Sequence, residues 1–249
     1  MLVGLCSLKS SPGVTTTALT LAGAWPSVGA RPTVVELDGR GGDVAWRFGL
    51  AANPGLRSLA VASRVRPAPE LLTAHAQPVG AARVPVVAAP VGRDAARHAA
   101  ASLTALLDVL SEAPEPVLVD FGEVDAKDPD TSCLLAGLTM LVVVARAVPE
   151  QIARLQAATE DLLRVHSRVN AVLVGDIEHR EATEMLALPV AGVLPLINPD
   201  ASSLVRLIGV HSRRSFEAAA MRLATELSSG IGPSGSVREA VNDHAEVSL

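Results

Sequence analysis

The residues best suited to chemistry stand near the N-terminus. Lys9-Ser10-Ser11-Pro12-Gly13-Val14-Thr15-Thr16 is a run of small and polar side chains broken by Pro and Gly, which reads as a tight loop. It follows Met1 to Leu8, short and mostly apolar as a buried strand should be. It precedes Thr17 to Ala24, whose Ala- and Leu-rich pattern suits a helix. Strand, small-residue loop and helix N-terminus together form a phosphate cradle: backbone N–H groups converge on one place, and the helix dipole favours an anion there. Two carboxylates follow at strand ends. Asp38 comes after the β-branched run Thr33 to Leu37 and opens the loop DGRGG, with Glu36 on the same strand face. Asp120 closes the apolar run in EPVLVDFG, Glu115 to Gly122. Ligands of open parallel sheets sit outside that edge. Each has a plainer reading when taken alone: Asp38 precedes Gly39, and Asp before Gly commonly closes an Asx-turn, while an Asp after a few apolar residues, as at Asp120, is common.

The elements that must position these groups alternate strand and helix. Leu56 to Ser63 reads as a helix, Val65 to Glu70 as a Pro-rich connection, and Arg83 to Val91 as a strand. From Arg93 to Leu110 the apolar residues Ala96, Leu103, Leu106, Leu107 and Leu110 recur at helical spacing. Further on come a short helix (Ser132 to Leu138), a strand (Met140 to Ala145) and a helix (Gln151 to His166). A sixth strand (Val169 to Val174), a helix (Glu178 to Ala187) and a last strand (Leu188 to Pro195) follow, then closing helices at Ala201 to Ile208 and Ser212 to Leu227. This order predicts right-handed crossovers. The fold class is α/β: one domain, a mostly parallel doubly wound β-sheet with helices on both faces. That domain covers residues 1–227, and residues 228–249, Gly/Ser-rich and then acidic, form a flexible polar tail.

Composition narrows the classes. Apolar residues are 49% of the chain, enough for a sheet covered on both faces, and with no Tyr the core must be Val, Leu, Ile and Ala. A net charge of −5 gives no global attraction to nucleic acid or anionic lipid. Cys6 and Cys133 lack metal-ligand spacing and read as small buried hydrophobes. The N-terminus has no charged n-region or cleavage site, and no apolar run reaches the roughly 18 residues that span a bilayer. A cytoplasmic chain is expected. The tail lacks the basic amphipathic face of a membrane helix, so no direct membrane anchor is expected. Lys9 and Lys127 are the only lysines among 21 basic residues, which makes a lysine at position 9 more notable.

The run Lys9 to Thr16 resembles the deviant Walker A motif of the ParA/MinD family of P-loop ATPases, written Lys-Gly-Gly-x-Gly-Lys-Thr-Thr. The likeness extends through the Asp38 segment, the Asp120 strand and LPVAGVLP (Leu188 to Pro195) and covers residues 1 to about 227. It implies a P-loop NTPase fold that takes ATP and Mg2+ if the site is functional, and neither otherwise. By this resemblance Ser10, Ser11, Gly13, Thr15 and Thr16 line the phosphates, and Pro195 turns the chain over the base. Thr15 and Asp120 organise the metal, and Asp38 orients water. Lys9 matches the lysine that stabilises transition-state charge across the dimer. Three positions depart: Ser10 and Ser11 replace glycines, and Val14 replaces the phosphate-binding lysine.

Two functional readings follow from the resemblance. In the preferred one the chain is a dimeric spatial-organisation or assembly-localisation protein with a degenerate site, a slow or pseudo-ATPase. It resembles the localisation factors of tad-type pilus assembly. In the alternative it is an active ATPase switch for chromosome or plasmid partitioning or septum placement. Both imply a homodimer and a protein partner from a pilus, septum or partition system, with non-specific DNA as a further candidate and any recruitment to membrane or pole left to a partner. A ligase- or amidotransferase-like relative is disfavoured, because no additional substrate-binding segment is apparent.

Overall fold

The structure is a computed structural model that describes residues 1–9, 12–25, 31–101, 110, 113–196 and 214–229. Strands and helices follow one another as β1 (Leu2–Ser7), α1 (Val14–Ala24), β2 (Thr33–Glu36), α2 (Val44–Phe48), α3 (Leu56–Val65), α4 (Glu70–His75), β3 (Gln77–Val79), β4 (Val84–Val87) and α5 (Arg93–Ala101). After them come β5 (Val117–Glu123), α6 (Pro129–Ala136), β6 (Met140–Arg146), α7 (Pro149–Val165), β7 (Val169–Val174), α8 (His179–Met185), β8 (Val190–Leu194) and α9 (Arg214–Ser228). Among the described residues the strands form one eight-stranded sheet in the order β3-β4-β2-β5-β1-β6-β7-β8. Only β3 runs antiparallel, against β4. The residues 102–109, the expected helix at 201–208 and the tail from 230 onward lie outside the described residues.

The central strands are apolar along most of their length, and β1 and β5 are buried on both faces, as parallel strands covered by helices must be. Side chains alternate between two core layers. Val117, Val119 and Phe121 of β5 face the layer built with α3, α6 and α7. Leu118 faces the other layer, with Val14, Ala18 and Leu21 of α1 and Phe216, Ala220 and Leu223 of α9. Two-residue periodicity therefore turns Asp120, and Glu36 two residues after Val34, toward the α1 side.

Two elements and one side chain differ here from the sequence reading. β3 is an additional strand, so Val169–Val174 is the seventh rather than the sixth. It has three residues and carries Pro78, which a sheet accepts at its edge, where β3 lies. α4 grows from within the Pro-rich connection, with Pro69 immediately before its first turn, where a missing N–H costs nothing. Cys133 is exposed, because α6 turns Leu135 rather than Cys133 to the core; Cys6 is buried as expected.

Leu118 anchors α1 over the centre of the sheet. Leu118→Ala is expected to cost about 3 kcal/mol of stability, read from the shift of a urea unfolding curve at unchanged slope.

Candidate functional site

The cradle begins with one backbone angle. Gly13 takes φ 101° and ψ 35°, a left-handed conformation that only glycine adopts cheaply. The chain can therefore turn directly from Pro12 into the helix, and α1 starts at Val14, three residues earlier than its sequence pattern indicates. Val14, Thr15 and Thr16 thus lie in the first helical turn, where N–H groups have no partner within the helix. Among the described residues no side chain caps that turn, and no acidic residue lies in it. An anion is the natural complement of such an end. Lys9 is exposed just past β1, where it borders a small crevice with Val143 and Ala145 of β6 and Arg154 of α7. Ser10 and Ser11 lie outside the described residues.

Asp120 is fully buried on β5, in register with Glu36 on β2 and Leu5 on β1. Its Oδ1 accepts the Gly122 N–H at 2.9 Å. Its Oδ2 is buried with no hydrogen-bond partner. Burial pushes the Asp120 carboxyl up to about 6; the Thr15 hydroxyl, the Gly122 N–H and the Arg47 charge oppose the shift, and the Asp38 charge adds to it. Thr15 therefore lies close enough to favour the ionised form without satisfying Oδ2.

Sequence reasoning placed Glu36 only as a strand-mate of Asp38. In the structure it is the fastening of the whole edge. Its Oε1 accepts the N–H groups of Asp43 at 2.8 Å and Val44 at 3.2 Å, and its Oε2 accepts that of Ala89 at 2.9 Å. One carboxylate thus joins the loop at 39–43, the start of α2 and the end of β4. Burial raises Glu36 to about 7, against those three hydrogen bonds and with a smaller contribution from Asp120. A Glu inside an otherwise apolar strand was the available signal, but its partners are distant in sequence. Gly42 is required beside it: a Cβ there would lie 2.4 Å from Glu36 Oε2 and 2.7 Å from the Ala89 carbonyl oxygen.

Asp38 forms the Asx-turn that its sequence allows, with Oδ1 accepting the Arg40 N–H at 2.8 Å. It also packs against Gly122, which has φ +63° and no room for a side chain: a Cβ would lie 2.2 Å from Asp38 Oδ2. Burial raises its carboxyl, with the Arg40 N–H and charge opposing. Arg40 itself pairs with Glu123 at 2.5 Å. The structure thus gathers Thr15, Glu36, Asp38 and Asp120 at one place. Pro195 stands apart, with Leu196, Gly175 and Asp176 in a cleft of about 660 Å3 between the ends of β7 and β8 and α9.

The chemistry of these donors suits Mg2+ held partly by phosphate. Mg2+ uses one or two carboxylates, substrate phosphates and water rather than a full protein cage. Among the described residues no group of three or more His, Cys, Asp or Glu side chains forms such a cage. The unpartnered Oδ2 of Asp120 offers a buried acceptor to a metal-bound water, beside the Thr15 hydroxyl. Val14, the first residue of α1, carries no charge and is buried in the α1 layer of the core.

A phosphate-type loop after the first strand of a mostly parallel sheet, with carboxylates at neighbouring strand ends, defines the P-loop NTPase fold of the ParA/MinD type. The cell division ATPase MinD of Pyrococcus furiosus superposes with TM-score 0.71 at 17% identity, covering 92% of this chain and 99% of that one. MinD of Pyrococcus horikoshii, complexed with Mg-ADP, gives 0.70 at 15% identity, with 91% and 95% covered. A ParA family ATPase from Chlorobium tepidum gives 0.69 at 16% identity, with 90% and 98% covered. No protein-family model and no curated protein sequence matches the chain.

The raised carboxyls set a pH dependence. In the folded state Glu36 and Asp120 keep their protons to higher pH than in the unfolded chain. The stability they contribute is present in full below about pH 4 and is lost as pH rises through 6 to 7. Asp120→Asn removes a buried charge at pH 8. It should raise the thermal midpoint there by several degrees, at ~2–4 °C per kcal/mol in a chain of this size, and leave the midpoint at pH 4 nearly unchanged. Differential scanning calorimetry at the two pH values checks this.

Proposed function

We propose that this chain is a degenerate member of the ParA/MinD group, a dimeric spatial-organisation or assembly-localisation protein that holds Mg-nucleotide weakly and hydrolyses it slowly or not at all. The observation that carries this reading is the contrast within one turn of α1. Thr15 remains beside a buried, unpartnered carboxylate, while Val14 is packed into the core where the phosphate cation would stand. Bound ATP with Mg2+ supplies a triphosphate and a Lewis acid to this edge. Gly13 and the first-turn N–H groups of α1 cradle the phosphates, with Ser10, Ser11, Thr15 and Thr16 as further donors. Thr15 and Asp120 orient the metal's shell, and Asp38 orients water. Pro195 borders the base. Lys9, exposed just past β1, would face a second copy of the chain in this reading.

A charge-assisted phosphate contact is worth about 1.5–3 kcal/mol in binding and more where charge spreads over a transferring phosphoryl group. Valine supplies none of it. The loss falls on turnover more than on binding, because backbone N–H groups still hold the ground state. Such a protein acts through the surface it presents when dimeric, with a component of a pilus, septum or partition system as its partner. Among the described residues no helix is long and apolar enough to cross a membrane. In this reading recruitment to a membrane or pole would come from that partner. The retained Lys9 favours the second reading, an active switch for partitioning or septum placement.

Calorimetric titration of Mg-ATP tests the reading. The wild type is expected to bind weakly, and Val14→Lys to bind about 10- to 100-fold more tightly. Sizing in the same buffer is expected to show a dimer that survives Lys9→Ala more readily in the absence of nucleotide than in its presence. Tight wild-type binding that Val14→Lys leaves unchanged would contradict the proposal.

A further inference from the structure

We infer that Arg47, presented by α2 beside the Glu36–Asp120 pair, is the cation that holds the phosphates in place of the lysine displaced by Val14. The inference rests on the reading of this edge as a nucleotide site.

The geometry starts from the sheet. Glu36 and Asp120 are register neighbours on adjacent strands, hence about 5 Å apart in the hydrogen-bonding direction. Glu36 Oε1 holds the N–H groups of Asp43 and Val44, so the first residue of α2 is fixed one strand away from the metal-side carboxylate. Arg47 lies one turn further along, on the same face as Asp43, because residues four apart on a helix are neighbours. Its guanidinium pairs with Asp43 at 3.0 Å and is partly exposed. Its charge already reaches the buried Asp120 and favours the ionised form there.

Three other cations have different neighbours. Arg40 is drawn to Glu123. Lys127 pairs with Asp161 on α7. Lys9 lies on the β6 and α7 side of β1. Among the described residues Arg47 is tethered through an exposed i,i+4 pair with Asp43, a contact weak enough to exchange for phosphate. Its planar fork can grip two phosphate oxygens in a fixed geometry, where a lysine acts as a point charge. Trp46, the residue before it, is 83% exposed and reports on movement of α2.

The test titrates inorganic tripolyphosphate with Mg2+ into wild type, Arg47→Ala, Arg47→Lys, Arg40→Ala and the double variant Arg47→Ala/Val14→Lys, by calorimetry with Trp fluorescence in parallel. Circular dichroism establishes that each variant is folded. Arg47→Ala is expected to weaken binding at least tenfold, and Arg47→Lys to weaken it several-fold less. The double variant is expected to recover wild-type affinity, and the fluorescence change is expected to vanish with Arg47→Ala. If the wild type binds tripolyphosphate but Arg47→Ala lies within twofold of it, or Arg40→Ala causes the larger loss, the assignment to Arg47 is wrong while the nucleotide site stands. If the wild type does not bind tripolyphosphate at all, the site reading fails and takes the assignment with it.

Discussion

A single buried carboxylate holds the functional edge together. Glu36 accepts three backbone N–H groups from two different connections, those after β2 and after β4. Without it, the loop at 39–43 and the start of α2 would lose their attachment to the sheet. Burying a carboxylate is costly unless hydrogen bonds satisfy it, and three backbone donors do so here. The same carboxylate lies beside Asp120, whose Oδ2 has no donor. One of the pair is satisfied by the protein, and the other is left for something else. That asymmetry is hard to explain as packing, because an orphaned buried oxygen lowers stability.

The neighbouring glycines follow from this constraint. Gly42 leaves room for Glu36 and the Ala89 carbonyl, and Gly122 leaves room for Asp38 while taking a positive φ. Both allow acidic side chains to sit directly on backbone. The edge is consequently rich in negative charge, with Arg40 and Arg47 as its nearest compensation. A divalent cation complements such an edge, and a polyphosphate then complements the cation and the open N-terminus of α1. Metal and phosphate would therefore bind as one unit, each incomplete without the other.

Much of this was legible in sequence because it is local. Gly13, Thr15 and the strand-end carboxylates announce themselves by residue type next to an apolar run, and the alternation of strands and helices is carried by hydrophobic periods. What escaped depends on distance or on a single torsion. The N–H partners of Glu36 lie at positions 43, 44 and 89, contacts that no local pattern encodes. The early start of α1 depends on the left-handed Gly13, whose angle residue identity permits but does not dictate. β3 is three residues long with a central proline, too short for any periodicity to show. Cys133 lies on the outer face of a helix that buries only Leu135, and an apolar run cannot reveal which face turns inward. Position 14 shows the opposite: its valine was plain in the sequence, and the structure adds that it is buried in the core.

On the proposed reading fold and chemistry are separable: the left-handed turn at Gly13 and the buried carboxylate of Asp120 stand around position 14, whose valine carries no charge. The most direct measurement is single-turnover hydrolysis, with radiolabelled ATP and Mg2+ at saturating protein. Nucleotide that binds and remains largely triphosphate over many minutes is the expected result. Rapid conversion to diphosphate, abolished by Lys9→Ala, would contradict the degenerate site and establish an active switch instead.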